Sequence, residues 1–227
     1  MFWDDDAPYD ELSGLRDVVD VSFRIDCSCL PLDHAHALSL ALRERLPWLE
    51  TEALAGVHLI HGAESGNGWM RPQDPESDLL HLSRRARLRL RVPLERVDAA
   101  EGLAGKQLDV AGFGLDVGAM NMIALEPLPV VFARYVVSDP DQDEAGFLAD
   151  MATELRRLGV PVSKLLSGLG HVLRVPDGLV HTRSLMVAEL DPEASLRVQR
   201  HGIGPERAMG CGLFIGHKDI APVTGTS

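Results

Sequence analysis

The chain has 227 residues, 45% of them hydrophobic, which is ordinary for a folded globular protein and enough for one large or two small domains. Its formal net charge of −12 opposes a generally basic, nucleic-acid-coating surface, and no apolar run is long enough for a membrane-spanning helix. Three cysteines, an odd number, argue against a disulfide framework, and the acidic start, Met1 to Asp6, is unlike a secretory signal, so a soluble cytoplasmic protein is expected.

Asp17 to Cys27 alternates Val19, Val21, Phe23 and Ile25 with polar residues and predicts a strand. After Pro31, Asp33 can cap a helix running to about Leu46, with Leu38, Leu42 and Leu46 on one face and Pro47 as its limit. Leu54 to His61 reads as a second strand, Gly62 to Pro75 as a loop, Arg85 to Val92 as a third strand and Leu94 to Leu103 as a short helix. Gln107 to Met122 suggests one or two strands with a turn near Gly112 to Gly114. Strand, helix, strand, strand, helix, strand is the ferredoxin-like order.

The same order then repeats. Val130 to Val137 is a strand, Glu144 to Leu158 a helix, and Val162 to Leu166 with His171 to Val175 one interrupted strand. Val180 to Leu190 is a strand, Pro192 to Arg200 a helix capped by Asp191, and Met209 to His217 the last strand. The expected fold class is α+β, two tandem ferredoxin-like units, with residues 1–126 in the first and 127–227 in the second, although the two halves share no visible sequence. Thr224 to Ser227 look frayed.

Three features carry chemistry. In Arg84-Arg85-Ala86-Arg87-Leu88-Arg89-Leu90-Arg91, a strand puts Arg85, Arg87, Arg89 and Arg91 on one face and the apolar residues on the other. Guanidinium groups in a row suit phosphates, against the plainer reading of a solvated amphipathic strand. The acid is gathered elsewhere, at Asp4, Asp5, Asp6, Asp10 and Glu11 and at Asp139, Asp141, Asp143 and Glu144. The second feature is Gly202-Ile-Gly204-Pro-Glu-Arg207-Ala-Met-Gly210-Cys-Gly212, whose glycines permit a close phosphate approach. Its spacing alone favours a helix C-cap and turn, and it lacks the Gly-Lys-Ser/Thr end of a P-loop.

The third is histidine, nine in all, the natural base near neutral pH. His34 stands in the first turn of the first helix, where the helix N-terminus disfavours the imidazolium and Asp33 opposes that effect. His58 and His61, three apart in a strand, face opposite ways. Cys27 and Cys29 would need His34 and His36 to make a zinc site, and no metal is expected.

Several stretches resemble the CRISPR repeat-processing endoribonucleases, the sixth Cas family, in their myxan-type branch. They are Leu30-Pro-Leu-Asp-His34-Ala, Ile60-His-Gly-Ala-Glu-Ser-Gly-Asn-Gly-Trp69, Leu80-His-Leu-Ser-Arg-Arg85, Thr182-Arg-Ser-Leu-Met-Val-Ala-Glu-Leu-Asp-Pro192 and Gly210-Cys-Gly-Leu-Phe-Ile215. They span nearly the whole chain. The resemblance implies binding of a CRISPR repeat hairpin, and cleavage without a metal or other cofactor by attack of the ribose 2′-hydroxyl. It also implies partnership with other Cas subunits, with no direct DNA or membrane contact. His34 matches the family's catalytic histidine best and His36 is the runner-up, while Ser65 and Asn67 are weaker candidates. RNA contacts are expected from Arg84, Arg85, Arg87, Arg89 and Arg91, from Arg197, Arg200, Arg207 and Lys218, and from Gly202, Gly204, Gly210 and Gly212. Two other readings stay open: a non-catalytic RNA-binding subunit, and a metal-dependent nuclease, which the scattered carboxylates disfavour.

Overall fold

The computed structural model describes residues 13–61 and 79–217. The acidic N-terminal run, the whole of the expected 62–75 loop with Ser65 and Asn67, the candidate Lys218 and the C-terminal Thr224 to Ser227 lie outside the described residues. No helix among those described is long and apolar enough to cross a membrane.

The first half contains β1 (Val18–Asp26), β2 (Cys29–Pro31), α1 (Ala35–Arg45), β3 (Gly56–His58), β4 (Leu79–His81), β5 (Arg87–Pro93), α2 (Val97–Glu101), β6 (Gln107–Val110) and β7 (Phe113–Ala124). Its main sheet is antiparallel, in the order β3-β5-β1-β7-β6, and β2 pairs separately with β4. With β6 set aside as the hairpin partner of β7, the order is that of a βαββαβ unit whose first and third strands are central. Val21, Phe23, Leu88 and Leu90 point to the helix side and are buried with Leu38 and Leu42 of α1.

The second half contains β8 (Val130–Val137), α3 (Glu144–Arg157), β9 (Lys164–Val175), β10 (Gly178–Ala188), α4 (Pro192–His201) and β11 (Ile215–Gly216). Its sheet order is β11-β8-β10-β9, the same topology again. Asp143 and Asp191 cap α3 and α4 by accepting from the N–H groups of Gly146 and Ala194 at 2.8 and 2.7 Å. Phe147 and Leu155 of α3 and Val198 of α4 are buried against Val131, Ala133, Leu185 and Val187 of the sheet.

Several elements differ from their expected bounds for local reasons. The first turn of α1 is not capped by Asp33, whose carboxylate accepts from the Arg174 N–H of β9 at 2.8 Å. Arg85 is not in β5, because the Ala86 N–H closes a turn on the Ser83 carbonyl at 2.9 Å. The hairpin turn falls at Ala111 and Gly112, both at positive φ, with the Gly112 N–H on the Asp109 carboxylate. β9 runs without a break, and its expected interruption is a bulge in which Gly168 and Leu169 oppose Ser184 alone. The last strand is only two residues long, because residues 207–212 are taken up by a 3₁₀ turn and two left-handed glycines.

The two halves are tied together by reciprocal arginines. Arg91 of the first half donates to the carbonyls of Gln199 and Phe214 in the second, at 2.7 and 2.6 Å. Arg207 of the second half donates to the carbonyls of Leu54 and Ala55 in the first, both at 3.0 Å. A small apolar cluster of Ala35, Leu173, Met209 and Cys211 joins α1, β9 and the glycine-rich segment beside them.

Candidate nucleic-acid interface

The helix-free side of β5 carries Arg87, Arg89 and Arg91, as the alternation requires. Across the sheet, Arg87 pairs in register with Arg24 of β1, Arg89 with Ser22 and His58, and Arg91 with Asp20 and Gly56. Arg24, exposed and on the same face, extends the stripe sideways, and only the register of β1 on β5 shows it.

Opposite this face stands β8. Between Ala133 and Val136, two residues, Arg134 and Tyr135, oppose only Ser184 of β10. This bulge turns both side chains to the same side. They join Phe132 and Ile215 as one wall of a groove of about 270 Å³, whose other wall is His58, Leu59, His61, Arg87 and Arg89. Gly210 and Leu213 of the glycine-rich segment line it as well. A larger hollow, about 400 Å³, lies between α1 and the β6–β7 hairpin. Glu44 and Asp109 offset Arg45 there, so its mixed charge suits a polyanion less well.

Aromatic rings fill the end of the groove. Tyr135 lies near-parallel to His61, with ring centroids 6.5 Å apart and planes inclined by 27°, and meets His171 edge-on at 5.3 Å. Burial, ahead of every other influence, raises the Tyr135 pKa, so its hydroxyl keeps its proton. His61 is exposed at the rim, yet desolvation on its inner side, then the charge of Arg134, lowers its pKa and favours the neutral ring.

His34 sits differently from expectation. It is 3% exposed. Its Nδ1 lies 3.0 Å from the Pro31 carbonyl and 3.3 Å from that of Leu32, and its Nε2 accepts from the Ile60 N–H at 3.2 Å. Nδ1 therefore carries the proton, the Nε2 lone pair is occupied, and burial holds the ring neutral. His36, two residues on, is half-buried on α1. His58 is engaged with the Asp20 carboxylate at 3.4 Å.

The expected arginine set divides. Arg84 and Arg85 are exposed and precede the strand, while Arg87 and Arg89 reach the groove. Arg91 requires correction as an RNA-contacting residue: it is fully buried, with Nε and Nη2 on Asp20 and Nη1 on two carbonyls of the other half. Arg207 is likewise spent on the carbonyls of Leu54, Ala55 and His201. Arg200 forms a two-pronged pair with Asp17 at 2.7 Å, and Arg197 bonds Glu193 and the carbonyls of Leu158 and Gly159. Arg91 and Arg207 thus tie the two halves together, while Arg200 and Arg197, both partly exposed, are engaged in ion pairs with Asp17 and Glu193.

The glycine-rich segment also divides. Gly202 and Gly212 are buried face to face at positive φ, and a Cβ on either would run into the other's surroundings, the Gly212 carbonyl or that of Ile203. The Gly212 N–H donates to the Tyr135 carbonyl at 2.7 Å, which anchors the bulge of β8. Gly210 packs on Leu59 at the groove, and Gly204 is exposed. Cys27 donates to the Cys29 carbonyl, and among the described residues no three His, Cys, Asp or Glu side chains come together to hold a metal ion.

Comparison with known proteins gives a consistent result. The family model described as "Cas6 Crispr" matches residues 19–219. The CRISPR-associated endonuclease Cas6 of Myxococcus xanthus (strain DK1622) is 37% identical over 197 residues, covering 87% of this chain and 80% of that protein. Among solved structures, a CRISPR-associated protein Cas6 superposes with a TM-score of 0.62 at 10% identity, over 88% of this chain and all of the other. A protein described as a RAMP protein binding different RNA substrates gives 0.61 at 13% identity, over 88% and 100%. A Cas6-related protein from Pyrococcus furiosus gives 0.59 at 14%, over 87% and 97%. At these identities the structures share the fold.

Proposed function

Because the chain belongs to the Cas6 family of CRISPR-associated proteins, we propose that it is a metal-independent endoribonuclease that cuts CRISPR repeat RNA into guide RNA. The RNA supplies its own nucleophile. The ribose 2′-hydroxyl attacks the adjacent phosphodiester, leaving a 2′,3′-cyclic phosphate on one product and a 5′-hydroxyl on the other. The protein's tasks are to hold the phosphate, to take the 2′-hydroxyl proton and to stabilise the charge that builds on the phosphorane.

One observation carries this reading. In a chain of net charge −12, Arg87 and Arg89 from one half and Arg134 from the other line a single groove with His58, His61 and Tyr135. Guanidinium groups suit a phosphate and the rings suit an unpaired base, so the groove fits a strand leaving a hairpin stem. The acidic remainder of the surface confines a polyanion to this face. Other Cas subunits would then meet the protein outside the groove, with the product RNA retained.

The test is incubation with a labelled cognate repeat in EDTA, followed by end-group analysis. Cutting to a cyclic phosphate end is expected, as is loss of cutting when the nucleotide 5′ of the scissile bond is 2′-deoxy. A magnesium requirement, or a 3′-hydroxyl end, would overturn the mechanism. Binding without cutting would make the chain an RNA-holding subunit.

A further inference from the structure

We propose that His61 is the general base of this cleavage, and that His34 acts on it from below as a positioning residue, through the backbone of Ile60. The inference rests on the metal-independent ribonuclease reading and names the residues that carry its proton transfer.

A general base needs a free lone pair and a path to the substrate. His34 has neither, because its protonated Nδ1 faces the Pro31 carbonyl, its Nε2 lone pair holds the Ile60 N–H, and its ring is buried. Were Nε2 to take a proton, it would confront that N–H as a second donor, with no acceptor in place. The bond has a clear structural purpose. β3 ends at His58, so the Ile60 N–H is past the ladder and needs another acceptor. His34 provides it and thereby fixes the chain one residue before His61.

From that point the Ile60 side chain is buried and His61 is exposed in the groove wall with Arg87, Arg89 and Arg134. Its ring rests near-parallel to Tyr135. Tyr135 is itself held on three sides: by the bulge of β8, by the Gly212 N–H on its carbonyl, and by the edge of His171. The other histidine of the groove, His58, is tied to Asp20. His61 thus stands where a phosphate held by the arginines would lie, and desolvation with the nearby Arg134 charge keeps its ring unprotonated at neutral pH.

The step balances simply. The 2′-hydroxyl proton passes to a ring nitrogen of His61 as the O2′–P bond forms and the P–O5′ bond breaks. The 5′-oxygen takes a proton from water, and His61 returns its own to water. Tyr135 contributes its ring face, not its hydroxyl.

The experiment compares the parent chain with His61→Gln, His34→Gln, His34→Ala and His36→Ala. It uses single-turnover cleavage of the labelled repeat in EDTA, with melting curves and filter binding on each protein. His61→Gln is expected to bind normally and to cut at least about a hundredfold more slowly. His34→Gln should stay within about tenfold of the parent, since an amide oxygen can accept from Ile60 and an amide NH₂ can donate to Pro31, although an amide cannot act as a base. His34→Ala should lose more than His34→Gln, and His36→Ala should cut near the parent rate. Parental cutting by His61→Gln, or a loss in folded His34→Gln equal to that in His61→Gln, overturns the proposal. If His34→Gln does not fold, the exposed His61 decides alone: free imidazole should restore cutting to His61→Gly, and failure to do so overturns the assignment. A parent chain that does not cut in EDTA refutes the ribonuclease reading instead.

Discussion

Arg91 and Asp20 form a two-pronged ion pair across β1 and β5, with Nε 2.9 Å from one carboxylate oxygen and Nη2 3.1 Å from the other. Both residues are buried, and His58 approaches the same carboxylate from β3. The remaining Nη1 donates to two carbonyls of the second ferredoxin-like unit, so one side chain closes the first sheet and docks the second half onto it. Burial alone would raise the Asp20 pKa, but the Arg91 charge and then His58 overcome it and hold the carboxyl well below the usual carboxylate range.

Arg91→Met is therefore expected to be severely destabilising, by about 3–5 kcal/mol, because it strands a buried carboxylate and two carbonyls. Adding Asp20→Asn should recover part of that loss, since the uncompensated charge goes with it. Equilibrium urea unfolding at neutral pH measures both. A double variant no more stable than Arg91→Met would mean that the stranded carboxylate is not the main cost.

Acidification should act in two stages. The pKa of His34 is lowered in the folded chain, chiefly by burial, so the unfolded state binds protons first as pH falls through its value of about 6.5, and stability declines. Asp20 is depressed in the folded chain, so its contribution is present above an unfolded value of about 3.9 and is lost as pH falls below it. His34→Gln should make the first limb, which His58, His61 and His201 share, less steep in a plot of unfolding free energy against pH, and Asp20→Asn should flatten the second. Denaturant midpoints taken between about pH 3 and pH 8 test this.

Much of the fold is legible in the residues. The alternation of Val19, Val21 and Phe23 and of Leu88 and Leu90 places both central strands of the first sheet, and Asp191 before Pro192 marks the start of α4. What the alternation of β5 does not disclose is that one of its arginines faces a second domain instead of solvent. Arg87, Arg89 and Arg91 look alike along the strand, and only the docking of α4 and the segment before β11 distinguishes Arg91. The groove is less legible still. Tyr135 and Arg134 enter it through a bulge, a two-against-one register with no local sequence mark, and His61 is brought to Tyr135 across the halves. His34 stands at the start of the first helix as expected, but its lone pair is committed to a backbone N–H 26 residues away.

The glycine-rich segment offers a contrast within one motif. Gly204 is at φ +77 with open space around its Cβ position, so Gly204→Ala should cost about 1–2 kcal/mol from the left-handed backbone alone. Gly212 is at φ +68 and its Cβ would strike the Ile203 carbonyl, which is backbone and cannot swing aside. Gly212→Ala should therefore be much the worse in melting temperature. Because the Gly212 N–H holds the Tyr135 carbonyl, it should also slow cleavage more than Gly204→Ala does at a temperature where both proteins are folded.

The arginines of the groove can be separated from those of the scaffold by salt. Each phosphate contact neutralised by a cation releases a counterion, so the logarithm of affinity falls linearly with the logarithm of salt concentration, with a slope of about −0.7 per contact on a single strand. Arg87 and Arg89 line the groove, whereas Arg200 spends its two-pronged donors on Asp17 and Arg197 on Glu193 and two carbonyls. Arg87→Ala with Arg89→Ala should weaken binding of the repeat and reduce the slope by about one to two contacts. Arg197→Ala, on α4 of the second half, should leave the slope unchanged even where it lowers the melting temperature. Filter binding at four or five salt concentrations gives the slopes directly. A parental slope in the double variant would place the RNA off β5, and a reduced slope in Arg197→Ala would extend the RNA path along α4.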